Sequence, residues 1–443
     1  MIKIYKFLIY LYLVQNISSQ FIFPFNRKII SPSPENFIDY LLDNEIETEL
    51  KVGNPPQNIV FNIKLYEHAF YISPIEKGGK YDYRASNSYL NHSQNQYSYG
   101  QQCLYDGFEG SESFNFKSIN NKDKNLNNIT FILSNEYNGE YCVRLSNAQL
   151  GLTFISSSLY SNSNVINILN HKKILDSYAF HFNFSKNKNE KDYLIIGGYP
   201  HEYDKETYEE KFLKTDSIEE LNFWTLTMKV VIQNQTFFDS YLKLDVSNKG
   251  IEGTTAYQRI IDKIFFQDLI DKTLCQKLLA SFDFNDYFYY TCNNNVNLTK
   301  FPPIYFTSSS MNYTFNLTYE DLFISLNDKY YFLVIFHKKF YGDWVLGEPF
   351  LKKYNIIFDQ KSETISFYTQ SNIKKKKDTP RKDNKFLIIL VIIFFVSTII
   401  LSFLLYLCIK KIPRKKRANE LEENFDYVSK EFPQKTDYQK LLN

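Results

Sequence analysis

The sequence predicts an all-β protein of two lobes with one C-terminal transmembrane helix. Three observations carry that expectation. Short apolar or alternating segments of strand length occur at Ile59–Ile63, Phe70-Tyr71-Ile72 and Tyr178-Ala179-Phe180-His181-Phe182. The chain has 443 residues, enough for more than one lobe with its own core. Near its end, Phe386–Ile409 is a continuous apolar run, long enough to cross a bilayer as a helix. The net charge of +2 offers nothing for a nucleic-acid partner.

Residues 1–20 have the makeup of a signal peptide. Lys3 and Lys6 precede apolar Phe7–Val14, and Ser18 and Ser19 supply small residues near the expected cleavage point. Residues 21–36 hold Pro24, Pro32 and Pro34 and read as a short extended arm. Gly53, Asn54, Pro55 and Pro56 make a turn, because proline fixes φ and glycine allows φ > 0. A strand at Ile59–Ile63 follows, and Phe70, Tyr71 and Ile72 form another.

This layout resembles the first active-site hairpin of the pepsin-like aspartic proteases, where a G-x-P-P-Q turn feeds a strand ending in a D-T-G loop. Gly53-Asn54-Pro55-Pro56-Gln57 matches the turn. Asn147-Ala148-Gln149-Leu150-Gly151-Leu152 is similar to D-G-I-L-G-L, and Leu194-Ile195-Ile196-Gly197-Gly198 to L-x-F-G-G. Trp344-Val345-Leu346-Gly347-Glu348-Pro349-Phe350-Leu351 resembles W-I-L-G-D-x-F-L, and Tyr354–Asp359 resembles Y-x-V-F-D. The resemblance spans about residues 36–370 and implies a bilobal fold, with an N-terminal lobe over 37–200 and a C-terminal lobe over 201–370. The family's longer basic prosegment has no counterpart in the arm.

The resemblance also implies where catalysis would lie. The first catalytic Asp position holds Lys64, followed by Leu65 and Tyr66 in place of Thr and Gly. The second holds Asp245, followed by Val246 and Ser247. A Lys beside Asp245 would make an ion pair, lower the pKa of Asp245 and hold it ionised. Leu65 and Val246 replace two hydroxyls that bond across the lobes, and replacing both partners with apolar groups can be near neutral. Glu67 lies three residues past Lys64, on the far side, and is a poor substitute carboxylate. The family's flap tyrosine has two candidates, Tyr99 and Tyr105, and Asp106-Gly107 is a type I′ turn signal.

Four cysteines, Cys103, Cys142, Cys275 and Cys292, lie before the apolar run, and four allow three pairings. The resemblance implies Cys275–Cys292, leaving Cys103 with Cys142. No C-x-x-C or His cluster points to a metal, and no cofactor is expected. Glycosylation sequons begin at Asn91, Asn128, Asn183, Asn234, Asn297, Asn312 and Asn316.

A basic linker over 371–385 leads to the transmembrane helix at 386–409 and a cytoplasmic tail over 410–443. The cleaved signal sets a type I topology in the secretory pathway, ending at the plasma membrane or an endosomal or lysosomal membrane. In the tail, Tyr438-Gln439-Lys440-Leu441 fits a tyrosine-based sorting pattern, and Leu441 with Leu442 an acidic dileucine pattern. The leading expectation is a membrane-anchored, inactive protease homologue that binds a peptide or protein in its interlobe cleft or serves as a scaffold. An active endopeptidase using Asp245, and a trafficking receptor or surface protein with tail signals, are the alternatives.

Overall fold

The computed structural model describes residues 20–369, apart from 28–32, 34, 43–44, 68, 76–78, 100–103, 139–147, 154–163, 186–190, 217, 219–223, 234 and 340–342. The signal segment, the apolar run at 386–409 and the tail with Tyr438, Leu441 and Leu442 lie outside the described residues. So do Cys103, Cys142 and Asn234.

The described chain is predominantly β and forms two sheets, of 13 and 11 strands. The first lobe holds β1 (Phe21–Arg27), β2 (Ile46–Val52), β3 (Gln57–Lys64), β4 (Phe70–Ile72) and β5 (Leu90–Tyr99). It continues with β6 (Leu104–Ser118), β7 (Asp123–Asn138), β8 (Ala148–Gly151), β9 (Ala179–Asn183) and β10 (Asp192–Ile196). After a short β11 (Leu213–Lys214), the second lobe opens with β12 (Thr225–Ile232), β13 (Gln235–Leu244) and β14 (Ile251–Gly253). The hairpin β15 (Cys275–Phe282) and β16 (Asn285–Asn293) and the pair β17 (Ile304–Ser308) and β18 (Tyr313–Leu317) follow.

The two-residue period of a strand decides which side chains enter the core. In β2, Ile46, Thr48, Leu50 and Val52 are buried, while Glu47, Glu49 and Lys51 face outward. Aromatic residues fill the space between strands. Phe70 stacks 5.7 Å from Phe61 and lies tilted 5.3 Å from Phe114. Such pairs add about 0.5–1.5 kcal/mol each beyond their buried area.

Within the arm, Phe21–Arg27 form a strand of the first sheet. Phe21, Phe23 and Phe25 of β1 point into the core. The strand pairs with β10 along its length and with β2 and β6 at its ends. A helix at Phe37–Leu42 then packs Phe37, Ile38 and Leu41 against Tyr287, Tyr289 and Leu333 of the second lobe. Strands Asn355–Asp359 and Thr364–Tyr368 return to the first sheet through β9, so the lobes share a hydrogen-bonded base.

Asp106-Gly107 is not a turn. Both residues lie within β6 and pair with β5 on one side, and a bulge falls between them on the β7 side. Two ladders of partners outweigh the local turn preference. A Cβ on Gly107 would stand 2.4 Å from the Leu133 carbonyl, which explains the glycine. Tyr99 pairs with Leu104 and Ser98 with Tyr105, so the two flap candidates lie at the adjoining ends of β5 and β6. Their side chains lie outside the described ones.

Cys275 and Cys292 are bonded and face each other across β15 and β16. Among the described sequons, Asn91, Asn128, Asn183, Asn297 and Asn312 are exposed, and Asn316 is half-buried.

Candidate functional site

In each lobe a long strand ends in a loop that crosses a short parallel strand and returns on its far edge. β3 runs parallel to β8, with Ile63 beside Leu150 and Lys64 beside Gly151. β4 returns antiparallel, with Phe70 beside Leu150. In the second lobe β13 runs parallel to the strand Trp344–Leu346, with Leu244 beside Leu346. β14 returns antiparallel, with Ile251 beside Leu346. The two registers equate Ile63 with Leu244 and Phe70 with Ile251, and the loops between are equal in length. Lys64 is therefore the positional counterpart of Asp245, Leu65 of Val246, Tyr66 of Ser247 and Tyr71 of Glu252.

A chain of hydrogen bonds through Leu152 and Trp224 ties the two loops together. The Lys64 carbonyl accepts from Leu152 N at 2.9 Å. The Leu152 carbonyl accepts from Trp224 Nε1 at 3.1 Å, and the Trp224 carbonyl from Leu244 N at 3.0 Å. Leu65 and Val246 are both buried in the main core. Gly347 lets the second loop close: a Cβ there would stand 2.2 Å from the carbonyls of Asn248 and Gly250. The N-terminal helix braces the same loop, since Lys249 N donates to the Leu41 carbonyl at 2.9 Å and the Lys249 ammonium lies 4.4 Å from the Tyr40 ring.

The Asp245 side chain is half-buried and accepts three hydrogen bonds. Ser247 N and Oγ both donate to Oδ1, at 2.8 and 2.6 Å. The third comes from the Tyr66 hydroxyl, across from the first lobe. Burial raises the Asp245 carboxyl above its ordinary value, against the pull of these bonds and of the Lys64 charge. The Lys64 charge acts in the expected direction, but the net shift is upward because burial outweighs it. Among the described residues no ion-pair contact joins the two, and desolvation outweighs a charge acting at longer range. Tyr66 is pushed far up by burial and by the neighbouring Asp245 and Glu252 charges, so its hydroxyl keeps its proton and stays a donor.

Glu252 is a functional candidate that sequence reasoning missed. Its carboxyl is pushed up to about 7 by burial and then by Asp245, against the pull of Lys243. Asn248 Nδ2 donates to Glu252 Oε1 at 3.2 Å, and Asn248 Oδ1 accepts from Gly250 N at 2.9 Å. The available signal was a single carboxylate inside the short strand Ile251-Glu252-Gly253. Glu67 contributes its backbone carbonyl, which accepts from Thr153 N at 3.1 Å. Among the described residues no group of three His, Cys, Asp or Glu side chains converges to hold a metal ion.

The family model for eukaryotic aspartyl protease matches residues 66–370, more than half of the chain. The chain belongs to the eukaryotic aspartyl protease family. The match opens at Tyr66, two residues past Lys64, and takes in Asp245 and the Trp344–Leu351 segment. The two sheets and the Cys275–Cys292 bridge fit a bilobal aspartyl protease fold. No curated protein matches the chain.

Proposed function

We propose that this aspartyl protease homologue is catalytically silent and binds a peptide or protein between its lobes, anchored in a membrane of the secretory pathway by the apolar run at 386–409. The register equivalence of Lys64 and Asp245 carries the reading. Active members of this family use two carboxyls about 3 Å apart that share one proton, one acting as base on a water and the other as acid toward the peptide carbonyl. An ammonium cannot replace the second carboxyl in that exchange, because it has no acceptor to take up a proton. The Tyr66 hydroxyl also fills an acceptor position on Asp245 that an attacking water would need. Extended peptides can still dock in such a cleft by strand-like pairing.

One observation favours a working endopeptidase instead. Glu252 lies on the same lobe, and its carboxyl is pushed up to about 7 by burial and then by the Asp245 charge, so a second carboxyl acts electrostatically on the first. A single experiment separates the two readings. The full-length chain, purified in detergent, is offered a broad peptide library from about pH 3 to 7, which brackets carboxylate titration. It is run with and without a statine-type inhibitor, beside Asp245→Ala and Glu252→Gln. Retention of library peptides without cleavage is the expected result. Cleavage abolished by the inhibitor and by both substitutions would overturn silence and assign the chemistry to Asp245 and Glu252.

A further inference from the structure

The second lobe carries a groove of about 840 Å³, and among the described residues none of the two loops lines it. Its floor is the outer face of β12, β13 and β17. Thr227 sits opposite Tyr241, Lys229 opposite Thr307, and Thr307 opposite Thr314. Asp216, Ser309 and Ser310 also line it. Tyr241 is 48 % exposed, a large ring left open to solvent.

Among its described lining, serine and threonine hydroxyls dominate, beside Tyr241, Lys229 and Asp216 and three apolar side chains, Ile218, Leu226 and Met311. An apolar ligand would strip water from those hydroxyls without replacing its hydrogen bonds. A sugar would not. Hydroxyls donate and accept in turn, as a sugar's own hydroxyls do, and a pyranose can lay its C–H face on a tyrosine ring.

A covalent source of sugar stands at the lip. Asn312 is exposed in the turn after β17, with φ 49° and its N–H donated to the Ser309 carbonyl at 3.3 Å. It opens the sequon Asn312-Tyr313-Thr314. Thr314 of that sequon lies 3.1 Å, hydroxyl to hydroxyl, from Thr307 of the groove. Asn316 is less suited, since it is half-buried and its Oδ1 accepts from the Tyr354 hydroxyl at 3.2 Å. We infer that the groove seats an N-linked glycan carried by Asn312. The inference rests on the proposed secretory route, which exposes the lobes to the glycosylation machinery.

The test uses the full-length chain from a eukaryotic secretory host. Glycopeptide mass spectrometry first reads the occupancy of each sequon. The native protein is then treated with the amidase that removes N-linked glycans, and release is timed site by site. Release at Asn312 should be slower than at Asn91 and Asn128 by about tenfold, because the sugar must leave the groove before cleavage. Tyr241→Ala and Thr227→Val change only solvent-facing side chains and should bring Asn312 up to the rate of the other two. Equal rates in the unsubstituted protein overturn the inference. So does a bare Asn312 beside an occupied Asn91 or Asn128. A chain bare at every sequon overturns it together with the secretory route.

Discussion

The Tyr66 hydroxyl, in the loop of the first lobe, donates a hydrogen bond to the Asp245 carboxyl in the second. Its positional counterpart, Ser247, serves the same carboxyl from within its own loop. Asp245 thus becomes an acceptor shared by both lobes. Tyr66→Phe removes one donor and leaves the ring. A hydrogen bond to a charged group contributes about 1.5–3 kcal/mol, so chemical unfolding at neutral pH should show a loss of that size. The loss should shrink in acid, where Asp245 is protonated. An unchanged stability at neutral pH would show that the hydroxyl does not hold the lobes together.

Restoring a carboxyl at Lys64 should not be enough to restore proteolysis. Tyr66 is the positional counterpart of Ser247, and its hydroxyl already engages Asp245. Lys64→Asp alone is therefore expected to leave peptide cleavage at background. Lys64→Asp combined with Tyr66→Gly should give cleavage that rises in acid and is blocked by a statine-type inhibitor. Cleavage by the single variant would refute the obstruction assigned to Tyr66.

Glu252 makes acid the favourable condition for its part of the fold. Its pKa is about 7 in the folded chain against an ordinary 4.5, so the fold prefers the protonated form. That contribution is fully present below 4.5 and is lost as pH rises from 4.5 toward 7. Glu252→Gln mimics the protonated carboxyl and should flatten this decline. It should gain roughly 1–3 kcal/mol over the parent at neutral pH while matching it in acid. Parallel stability curves for the two proteins between those limits would rule out the buried, coupled carboxyl.

Much of this architecture is legible in the chain because it follows from local chemistry. Gly53 takes φ 91° in the turn that Pro55 and Pro56 mark. Gly347 is demanded by the approach of two carbonyls. The alternation of β2 and the apolar β4 declare strands by their pattern. What escapes the sequence is set by neighbours far away in the chain. Asp106-Gly107 has the composition of a turn, but strands on both sides absorb it into β6. Residues 21–27 look like an extended arm, yet β10 supplies a partner from about 170 residues on and makes them a core strand. The same holds at the site. Lys64 and Asp245 can be placed by motif, but the sign of the Asp245 shift depends on how deeply the carboxyl is buried, and no local pattern reports that. Glu252 is invisible for the same reason.

His181 should oppose Glu252 and limit stability in acid. It lies on β9, 4 % exposed, with Nε2 2.6 Å from the Tyr203 hydroxyl and Nδ1 without a hydrogen-bond partner. Burial lowers its pKa from 6.5 to about 3, so the folded chain keeps the ring neutral while the unfolded chain protonates it. Stability is therefore full above 6.5 and falls as pH drops from 6.5 toward 3. At about pH 5 the loss is roughly 2 kcal/mol. His181→Gln keeps a polar side chain able to meet Tyr203 but cannot take up a proton in this range. It costs some packing at every pH, yet its unfolding midpoint should be flatter between neutral and acid pH than that of the parent. The comparison to make is the difference in unfolding free energy between about pH 7 and pH 5 in each protein. If the parent loses no more than the variant over that interval, the ring is protonated in the fold and β9 is more open to water than its burial implies.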